Sequence, residues 1–284
     1  MNWAVPAVVR QSGNVIAFVW SHPANRGARL GGLARAVRFQ LRGRMGLRTL
    51  TRVGSGGRMW AELHYHGASK VAYVNPPDWN EMLAWRRILQ PGDLFVDVGS
   101  NVGAYALFAA DAGAEVIAIE PSRESARRLR ENVALNDFPV SVLECGLADR
   151  PGELRLTTGR DTTNHLLLGP DADGEVVAVD TLDNVLGDRF AVGVKIDVEG
   201  VERLVLDGAR EALRQHRIGV LQIEWNGMSR RLLGEDRLPI AALLEECGYQ
   251  LVRPDERGVF QDAEAVATSA QDMFAVLPEY RSGM

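Results

Sequence analysis

Apolar and polar positions from residue 91 onward follow two alternating periods. Short apolar runs, typical of buried strands, are separated by helix-length amphipathic stretches, and this order indicates an α/β fold with a largely parallel sheet. The pattern predicts seven strands, at residues 94–98, 115–120, 140–144, 193–198, 218–225, 249–252 and 272–277. It predicts four helices, at residues 103–112, 122–136, 201–215 and 238–247.

The remaining segments have weaker patterns. An insertion at about residues 150–190 contains two strand-like pieces and a helical turn, at residues 153–158, 175–179 and 182–186. The N-terminal part predicts short strands or loops, a partly helical segment, a β-hairpin and a helix begun by Asp78, at residues 1–32, 33–51, 56–74 and 79–89. The hairpin's strand positions are Trp60, Leu63, Tyr65, Val71 and Tyr73. We therefore divide the chain into a basic N-terminal segment, a hairpin with a lid helix, and a main domain, at residues 1–55, 56–90 and 91–284.

Charge is unevenly distributed along the chain, although the net charge of −5 is ordinary. Residues 1–70 contain eleven arginine and lysine residues against a single acid, Glu62, whereas acids outnumber bases by 15 in the remainder. A basic segment of this kind can contact an anionic partner, such as a membrane surface or a phosphorylated substrate. The simpler interpretation is that it covers the acidic part of its own chain or of a second copy in a homodimer.

Cysteine usage and hydropathy bear on the compartment. Cys145 and Cys247 have neither metal-ligand spacing nor the pattern of a disulfide framework, which indicates a reducing, cytoplasmic location. The N-terminal apolar runs are too short to span a bilayer, and no basic region precedes them as in a signal peptide. We therefore expect no transmembrane segment.

The first strand of the main domain ends in a glycine-containing turn that enters a helix. The residues here and at the next strand end that would contact a nucleoside cofactor are Asp97, Gly99, Ser100, Asn101, Gly103 and Glu120. A carboxylate at the second strand end can accept hydrogen bonds from both hydroxyls of a ribose. NAD sites prefer G-x-G-x-x-G, whereas this turn has G-x-x-x-G and an acid that repels a pyrophosphate and attracts an ammonium group. The pattern favours S-adenosylmethionine over NAD, and no P-loop lysine follows the turn.

A second turn at the same sheet edge follows the third strand. Gly146 and Leu147 can form a wall for an adenine ring, and Asp149 can accept a hydrogen bond from its exocyclic amine. The alternative interpretation is an ordinary turn between a strand and a loop, without a ligand.

Residues 195–202 have the most specific pattern. Lys195, Asp197 and Glu199 occupy alternate positions, and therefore one face if the strand continues. Glu224 closes the neighbouring strand about 4.8 Å away, so Asp197 and Glu224 should converge on one substrate hydroxyl or one divalent cation. Carboxylates held close together raise one pKa, as a general base working near neutral pH requires. The alternative is a structural ion pair between Lys195 and a carboxylate within the sheet.

Acceptor contacts are predicted outside these strands. Tyr73 and Trp79 belong to the hairpin and lid helix, His165 lies in the insertion, and Asn226 follows the fifth strand. For His165, which could be a substrate contact or a base, an ordinary position in a surface loop is the simpler interpretation. The sequence Asn-Pro-Pro-Asp at residues 75–78 lacks the aromatic residue with which base-flipping methyltransferases hold a nucleobase, so it predicts a turn and no nucleic-acid partner.

Together these segments resemble the FkbM family of S-adenosylmethionine-dependent methyltransferases. The matching pieces extend over about residues 56–277 and are segments 91–105, 119–121, 132–136, 181–183 and 195–202. The resemblance implies a Rossmann-like class I methyltransferase fold, a seven-stranded sheet whose last strand is antiparallel, and usually methylation of an oxygen. It also implies that the cofactor is contacted by Asp97, Gly99, Asn101 and Glu120. The role at the active edge of the sheet that it implies belongs to Lys195, Asp197 and Glu199.

We therefore expect an S-adenosylmethionine-dependent O-methyltransferase acting on a hydroxyl of a small-molecule natural product or a saccharide. Asp197 is the first candidate for the general base or a metal anchor, with Lys195, Glu199 and Glu224 positioning the acceptor. Two other classes stay open: an NAD-dependent Rossmann oxidoreductase, and a cofactor-binding module that docks a partner without catalysis.

Overall fold

The computed structural model describes residues 15–63, 66–156, 166–167, 174–269 and 271–282. Its N-terminal part is mainly helical, whereas the sequence pattern predicts short strands or loops before residue 33. In chain order the elements are helical residues 15–21, a 3₁₀ helix at Pro23–Asn25, α1 (Arg29–Arg44), β1 (Thr49–Val53), β2 (Gly57–Ala61), α2 (His66–Tyr73) and α3 (Trp79–Ile88).

The β-hairpin lies earlier in the chain than predicted. Strands β1 and β2 pair around a turn at residues 54–56, so the boundary drawn at residue 56 falls inside the hairpin. Val71 and Tyr73, predicted as strand residues, belong to α2 instead, and Tyr65 lies outside the described residues. The prediction failed because α2 is covered by α1 and the hairpin, so residues 71–73 at its end and Val74 just after it are all buried and show no helical period.

The strands and helices from residue 94 onward agree with prediction to within a few residues at most ends. The strands are β3 (Leu94–Val98), β4 (Glu115–Ile119), β5 (Val140–Leu143), β6 (Gly146–Leu147), β7 (Gly152–Leu156), β8 (Leu166–Leu167), β9 (Glu175–Asp180), β10 (Ala191–Ile196), β11 (Ile218–Ile223), β12 (Gln250–Pro254), β13 (Phe260–Asp262) and β14 (Met273–Val276). The helices are α4 (Ala104–Asp111), α5 (Arg123–Val133), α6 (Leu182–Leu186), α7 (Glu202–Asp207), α8 (Arg210–Arg214), α9 (Met228–Leu232), α10 (Leu238–Glu246) and α11 (Pro278–Ser282).

Two differences have simple physical causes. The helix predicted over residues 201–215 is divided into α7 and α8, with the break at Gly208, where a Cβ would lie 2.1 Å from the carbonyl oxygen of Ala148. Strand β13 was not predicted, because it has three residues of which only Phe260 is buried.

The main sheet has the strand order β13-β12-β14-β11-β10-β3-β4-β5. Strands β11, β10, β3, β4 and β5 are parallel, while β14 runs antiparallel between β11 and β12. This order confirms the predicted seven-stranded sheet with an antiparallel last strand, to which β13 adds an eighth strand at the edge. A second sheet of four short strands, β6 to β9, forms the insertion.

Alternate side chains of the main sheet enter two apolar cores, one on each face. Phe95 and Val220 face the core shared with α1 to α4, whereas Val96 and Leu221 face the core shared with α7, α8 and α10. Both faces are therefore covered, and the carboxyl ends of the parallel strands are where a ligand site can form. Within the described residues, no helix combines the length and apolarity that crossing a bilayer requires.

Candidate active site

A cavity of about 280 Å³ lies at the carboxyl ends of β3, β4, β10 and β11. One wall is formed by the turn after β3, the end of β4 and the segment 145–147. The other wall is formed by Lys195, segment 197–199 and Glu224. The two halves of the predicted site therefore share one cavity.

The two glycines of the first turn adopt left-handed backbone conformations and leave no room for a side chain. Gly99 and Gly103 have φ angles of 81° and 97°, which side chains of L-residues rarely adopt. A Cβ on Gly99 would lie 1.9 Å from the carbonyl oxygen of Asp197, and one on Gly103 would lie 2.5 Å from Leu129 Cδ1. Gly99 thus brings the two walls into backbone contact, whereas the sequence pattern had suggested close approach to a ligand. Gly103 begins α4 and does not line the cavity.

Asp97 presents an unpaired carboxylate oxygen at the cavity wall. The residue is buried; Oδ2 accepts a hydrogen bond of 3.0 Å from the Ala106 amide, and Oδ1 has no partner among the described residues. Burial raises the pKa of Asp97, while Lys195 acts to lower it. Ser100 is directed back to the Asp97 carbonyl, and Asn101, at a φ of 50°, has a buried unpaired Oδ1. The free oxygens of Asp97 and Asn101 are suited to donors on a ligand.

Glu120 is held by backbone groups on both sides. Its Oε2 accepts from the Asn101 amide at 2.8 Å, and its Oε1 accepts from the Ser122 amide at 2.9 Å. Burial raises the pKa of Glu120 to about 7. Each carboxylate oxygen keeps a lone pair for a further donor, such as a ribose hydroxyl.

The predicted adenine wall is present only in part. Gly146 and Leu147 form strand β6 and line the cavity together with Cys145. Asp149 is exposed and does not line the cavity.

Lys195 forms the buried ion pair that the sequence left as an alternative. Its Nζ lies 2.9 Å from Asp197 Oδ2 and 4.6 Å from the centroid of the Tyr105 ring. Burial acts to lower the pKa of Lys195, but Asp197 and Asp97 together raise it above its ordinary value. The expectation that Lys195, Asp197 and Glu199 share one strand face is wrong, because β10 ends at Ile196 and Glu199 has a φ of 56°.

Three carboxylates meet at the ends of β10 and β11. One oxygen from each of Asp197, Glu199 and Glu224 lies within 4.8 Å of the other two. This proximity follows from strand pairing, since the Glu224 amide donates to the Ile196 carbonyl at 3.0 Å. Burial and then the charge of Asp197 raise the pKa of Glu224 well above its usual range, and the same causes raise that of Glu199 to about 7. Oxygen ligands so arranged are also of the kind that divalent cations prefer.

An ion pair that the sequence did not reveal supports this acidic group. Glu202 and Arg237 are both fully buried and paired, and Glu202 Oε1 also accepts from the amides of Val198 and Gly200 at 3.3 and 3.0 Å. Arg237 Nε donates to the Asn226 carbonyl. Glu202 lies near the start of a predicted helix and its partner lies 35 residues further along the chain, so local spacing gave no indication of the pair.

A polar network behind the same wall was also missed. Gln222 donates to Asp272 Oδ2 at 2.7 Å and to the Tyr105 hydroxyl at 3.1 Å, while its carbonyl oxygen accepts from Trp85 Nε1. Burial raises the pKa of Asp272 to about 7. Tyr105 lines the cavity. The only sequence signal was the polar Gln222 within an otherwise apolar strand.

The predicted acceptor residues lie mostly away from the cavity. Tyr73 hydrogen-bonds to Gln40, Trp79 donates to the Glu256 carbonyl at 2.8 Å, and Asn226 accepts from the Met228 amide. None of these three lines the cavity, and His165 lies outside the described residues. The turn before α3 contributes Pro77 and Asp78 instead, and α2 contributes Lys70, so the region predicted as the lid does reach the cavity through other residues.

Comparison with known proteins agrees with this architecture. Residues 97–251, more than half of the chain, match the family model described as Methyltransferase FkbM domain. The chain is 30% identical over 161 residues to the 31-O-demethyl-FK506 methyltransferase FkbM of Streptomyces tacrolimicus, covering 44% of this chain and 62% of that protein. It is 29% identical over 141 residues to the hexuronic acid methyltransferase AglP of Haloferax volcanii, covering 46% of this chain and 56% of that protein.

The chain thus spans less than two thirds of the length of these two relatives. A solved structure similar to it is the T. thermophilus 16S rRNA N2 G1207 methyltransferase (RsmC) in complex with AdoMet and guanosine. That comparison has 17% identity and a TM-score of 0.42 and covers 81% of this chain and 50% of the other. Because the family model covers more than half of its sequence, this chain belongs to the FkbM methyltransferase domain family.

Proposed function

We propose that this protein transfers a methyl group from S-adenosylmethionine to a hydroxyl oxygen of a small-molecule or saccharide acceptor. The observation that carries the proposal is the shared cavity. One of its walls carries side-chain oxygens without a hydrogen-bond partner among the described residues, and the other carries a group of three carboxylates. Family membership supports the reaction class. The names of two relatives, a 31-O-demethyl-FK506 methyltransferase and a hexuronic acid methyltransferase, support the acceptor class.

The first wall fits S-adenosylmethionine better than a dinucleotide. The buried, unpaired Oδ1 of Asp97 would accept from the ammonium group of the cofactor, and Glu120 would accept from its ribose hydroxyls. Gly146 and Leu147 offer an apolar surface for the adenine. When bound, S-adenosylmethionine supplies an activated methyl group on a sulfonium; Asp97 would repel a pyrophosphate.

The second wall would hold the acceptor and take up its proton. Transfer of a methyl group from the sulfonium to a hydroxyl would form a C–O bond, break the C–S bond to leave a neutral thioether, and release the hydroxyl proton, which a nearby carboxylate can accept. Asp197 is our first candidate, since Lys195 fixes its orientation through the 2.9 Å ion pair. Burial and the charge of Asp197 raise the pKa of Glu224, which favours its protonated form, and a protonated carboxyl can donate a hydrogen bond to the acceptor oxygen. Positioning the two reactants supplies much of the rate.

The experiment is methyl transfer from radiolabelled S-adenosylmethionine to a panel of hydroxyl-bearing natural products and saccharides, with calorimetric binding of S-adenosylmethionine and of NAD in parallel. We expect binding of S-adenosylmethionine but not of NAD, and a labelled methyl ether in the product. Binding of NAD alone would favour an oxidoreductase. Tight binding of S-adenosylmethionine without transfer to any acceptor would favour a non-catalytic module. A labelled N-methyl product would contradict the predicted oxygen acceptor.

A further inference from the structure

Helix α1 has a buried face that attaches it to the rest of the molecule. The buried residues are Gly32, Ala36, Phe39 and Gly43. Phe39 packs edge-on against Tyr73 with 5.2 Å between ring centroids, and a Cβ on Gly43 would lie 2.4 Å from Leu63 Cβ. This face is therefore in close contact with α2 and the segment after the hairpin, and the orientation of α1 is well defined.

The opposite face of α1 is also apolar but is exposed. Leu30, Val37 and Leu41 are 76%, 58% and 54% exposed, and Met45 just after the helix is 65% exposed. Their spacing of seven, four and four residues puts them on one side of the helix, as a continuous stripe. We call these four residues the α1 stripe. A surface helix of a globular protein ordinarily carries polar side chains at these positions.

The neighbourhood of the α1 stripe is enriched in exposed apolar side chains. Of the thirteen large apolar side chains that are exposed in the described part of the chain, eight lie between residues 16 and 50. The four outside the stripe are Ile16, Trp20, Leu47 and Leu50. Concentrated exposure of this kind marks an interaction surface rather than the scattered apolar residues of any protein surface.

The same region is exclusively basic. Residues 15–61 contain nine arginines and no acid. By helical geometry Arg38 and Arg44 flank the α1 stripe, and the Arg29 guanidinium lies over the Trp20 ring, 5.3 Å from its centroid. Arg29, Arg38 and Arg44 form no ion pair with a carboxylate among the described residues. Their charge is therefore available to an anionic partner, in contrast with the arginines of α5, which pair with acids of this chain.

We propose that the α1 stripe and its flanking arginines dock the protein on a membrane surface that contains anionic lipids. An apolar stripe flanked by arginines fits a helix that lies in the plane of the interface, with its apolar side chains among the acyl chains and its cations near phosphate groups. A second copy is a poorer occupant, because a symmetric contact would bring together the unpaired arginines Arg29, Arg38 and Arg44 of both copies. The proposal does not depend on the methyl-transfer reaction.

The test is co-sedimentation of the full chain with vesicles of phosphatidylcholine alone and of phosphatidylcholine mixed equally with phosphatidylglycerol. We expect binding to the anionic vesicles only, with a bound fraction that decreases as salt is added. The double variant Val37→Glu/Leu41→Glu should abolish binding. The variant Arg38→Glu/Arg44→Glu should weaken it by about 25-fold or more, since each arginine near such a surface contributes about fivefold.

Matched controls change similar residues elsewhere. Leu238→Glu alters a side chain that is 45% exposed at the start of α10, and Arg87→Glu alters an exposed arginine on α3. Both should bind as the unchanged protein does, and all variants should keep their circular dichroism melting profiles, since every substituted residue is exposed. Equal loss of binding in the controls would show attraction by overall charge and overturn the proposal.

Other occupants give different results. If a second copy covers the stripe, sedimentation velocity will show a dimer that Leu41→Glu dissociates, with no vesicle binding by the unchanged protein. If a protein partner or residues 1–14 of the same chain cover it, the unchanged protein will also fail to bind anionic vesicles at low salt. Each of these results overturns the membrane proposal.

Discussion

The two walls of the cavity are built in different ways. On the first wall, which we propose binds the cofactor and call the cofactor wall, backbone amides hold the carboxylates of Glu120 and Asp97. These amides belong to Asn101, Ser122 and Ala106, all within 19 residues of the carboxylate they hold. On the second wall, which we propose holds the acceptor and call the acceptor wall, Lys195 pairs locally with Asp197. The supports behind this pair are side chains from distant segments: Arg237 pairs with Glu202 across 35 residues, and Gln222 bonds Asp272 across 50. The first wall is thus a local motif, whereas the second is assembled by packing.

This difference predicts where each function is sensitive. Changes on the cofactor wall should alter binding of S-adenosylmethionine with little effect on the chemical step. Changes on the acceptor wall should alter the chemical step or the stability of the whole protein, because its charges are buried and depend on one another. The following substitutions test that division, in order of decreasing expected effect.

The largest effect is expected for Asp197→Asn. Loss of the proton acceptor should lower the transfer rate by about 10²- to 10⁴-fold, while the affinity for S-adenosylmethionine changes little. The matched variant is Glu224→Gln, which mimics the protonated carboxyl and should lower the transfer rate by less than about tenfold. Single-turnover transfer and calorimetry measure the two quantities. Two results together would instead indicate a divalent cation held by both carboxylates. Glu224→Gln would lower the rate as much as Asp197→Asn does, and a Mg²⁺ chelator would abolish the activity of the unchanged protein.

Glu202→Met should strongly destabilise the fold. It leaves Arg237 buried without a counter-charge, which costs about 3–5 kcal/mol of unfolding free energy. The double variant Glu202→Met/Arg237→Met should recover much of this loss, apart from about 1–3 kcal/mol for the Val198 and Gly200 amides that lose their acceptor. Urea unfolding measures both. Equal stability of the single and double variants would show that the pair is not coupled.

Glu120→Gln should weaken binding of S-adenosylmethionine by roughly 10- to 150-fold, the range for loss of a hydrogen bond to a charged group. Both carboxylate oxygens accept backbone amides, and a glutamine can replace only one of them. With S-adenosylmethionine at saturating concentration, the transfer rate should stay within a few-fold of the unchanged value. A large loss of rate at saturation would contradict the separation between the two walls.

Gly99→Ala tests the contact between the walls. A Cβ there would meet the Asp197 carbonyl at 1.9 Å, whereas Gly92 has a similar φ of 89° and nothing within 4 Å of its Cβ position. Both substitutions put an alanine in the left-handed region, which lowers the unfolding free energy. The additional decrease in Gly99→Ala, about 1–3 kcal/mol, therefore measures the steric conflict. Unfolding by urea gives the difference. Equal losses would mean that the turn can move away from Asp197 freely.

The smallest effect concerns pH. Burial raises the pKa of Glu199 to about 7 from 4.5, so the folded state binds more protons than the unfolded chain between these values. The unfolding free energy should therefore decrease as pH rises from about 4.5 to about 7. Glu199→Gln should make this slope shallower, whereas Glu264→Gln, at an exposed carboxyl, should not. Parallel slopes for all three proteins would exclude the assigned contribution of Glu199.

The main sheet could be predicted because its central strands β3, β10 and β11 are buried at every position and are therefore largely apolar. The same logic failed at the end of α2, where residues 71–73 and the following Val74 are all buried and mimic a strand. It also missed β13, which is short and mostly exposed. Tyr73, Trp79 and Asn226 do not line the cavity for a different reason: proximity along the chain to a motif does not determine the direction of a side chain. The domain boundaries, the cytoplasmic location and a homodimer stay predictions.

The amino-acid sequence by itself determined the α/β order and the strand ends that carry Asp97, Glu120, Asp197 and Glu224, because these depend on local periodicity. Its turn chemistry also led to the prediction of S-adenosylmethionine as the cofactor. Only the tertiary structure decided that Lys195 pairs with Asp197 and that Arg237 neutralises Glu202. It also showed that Gly99 makes room for the carbonyl of Asp197, just after β10. The contacts of Arg237 and Gly99 join segments far apart in the chain, whereas Lys195 and Asp197 are two residues apart and pair because of how the chain turns after β10. The energies of all three depend on burial, which local patterns do not specify.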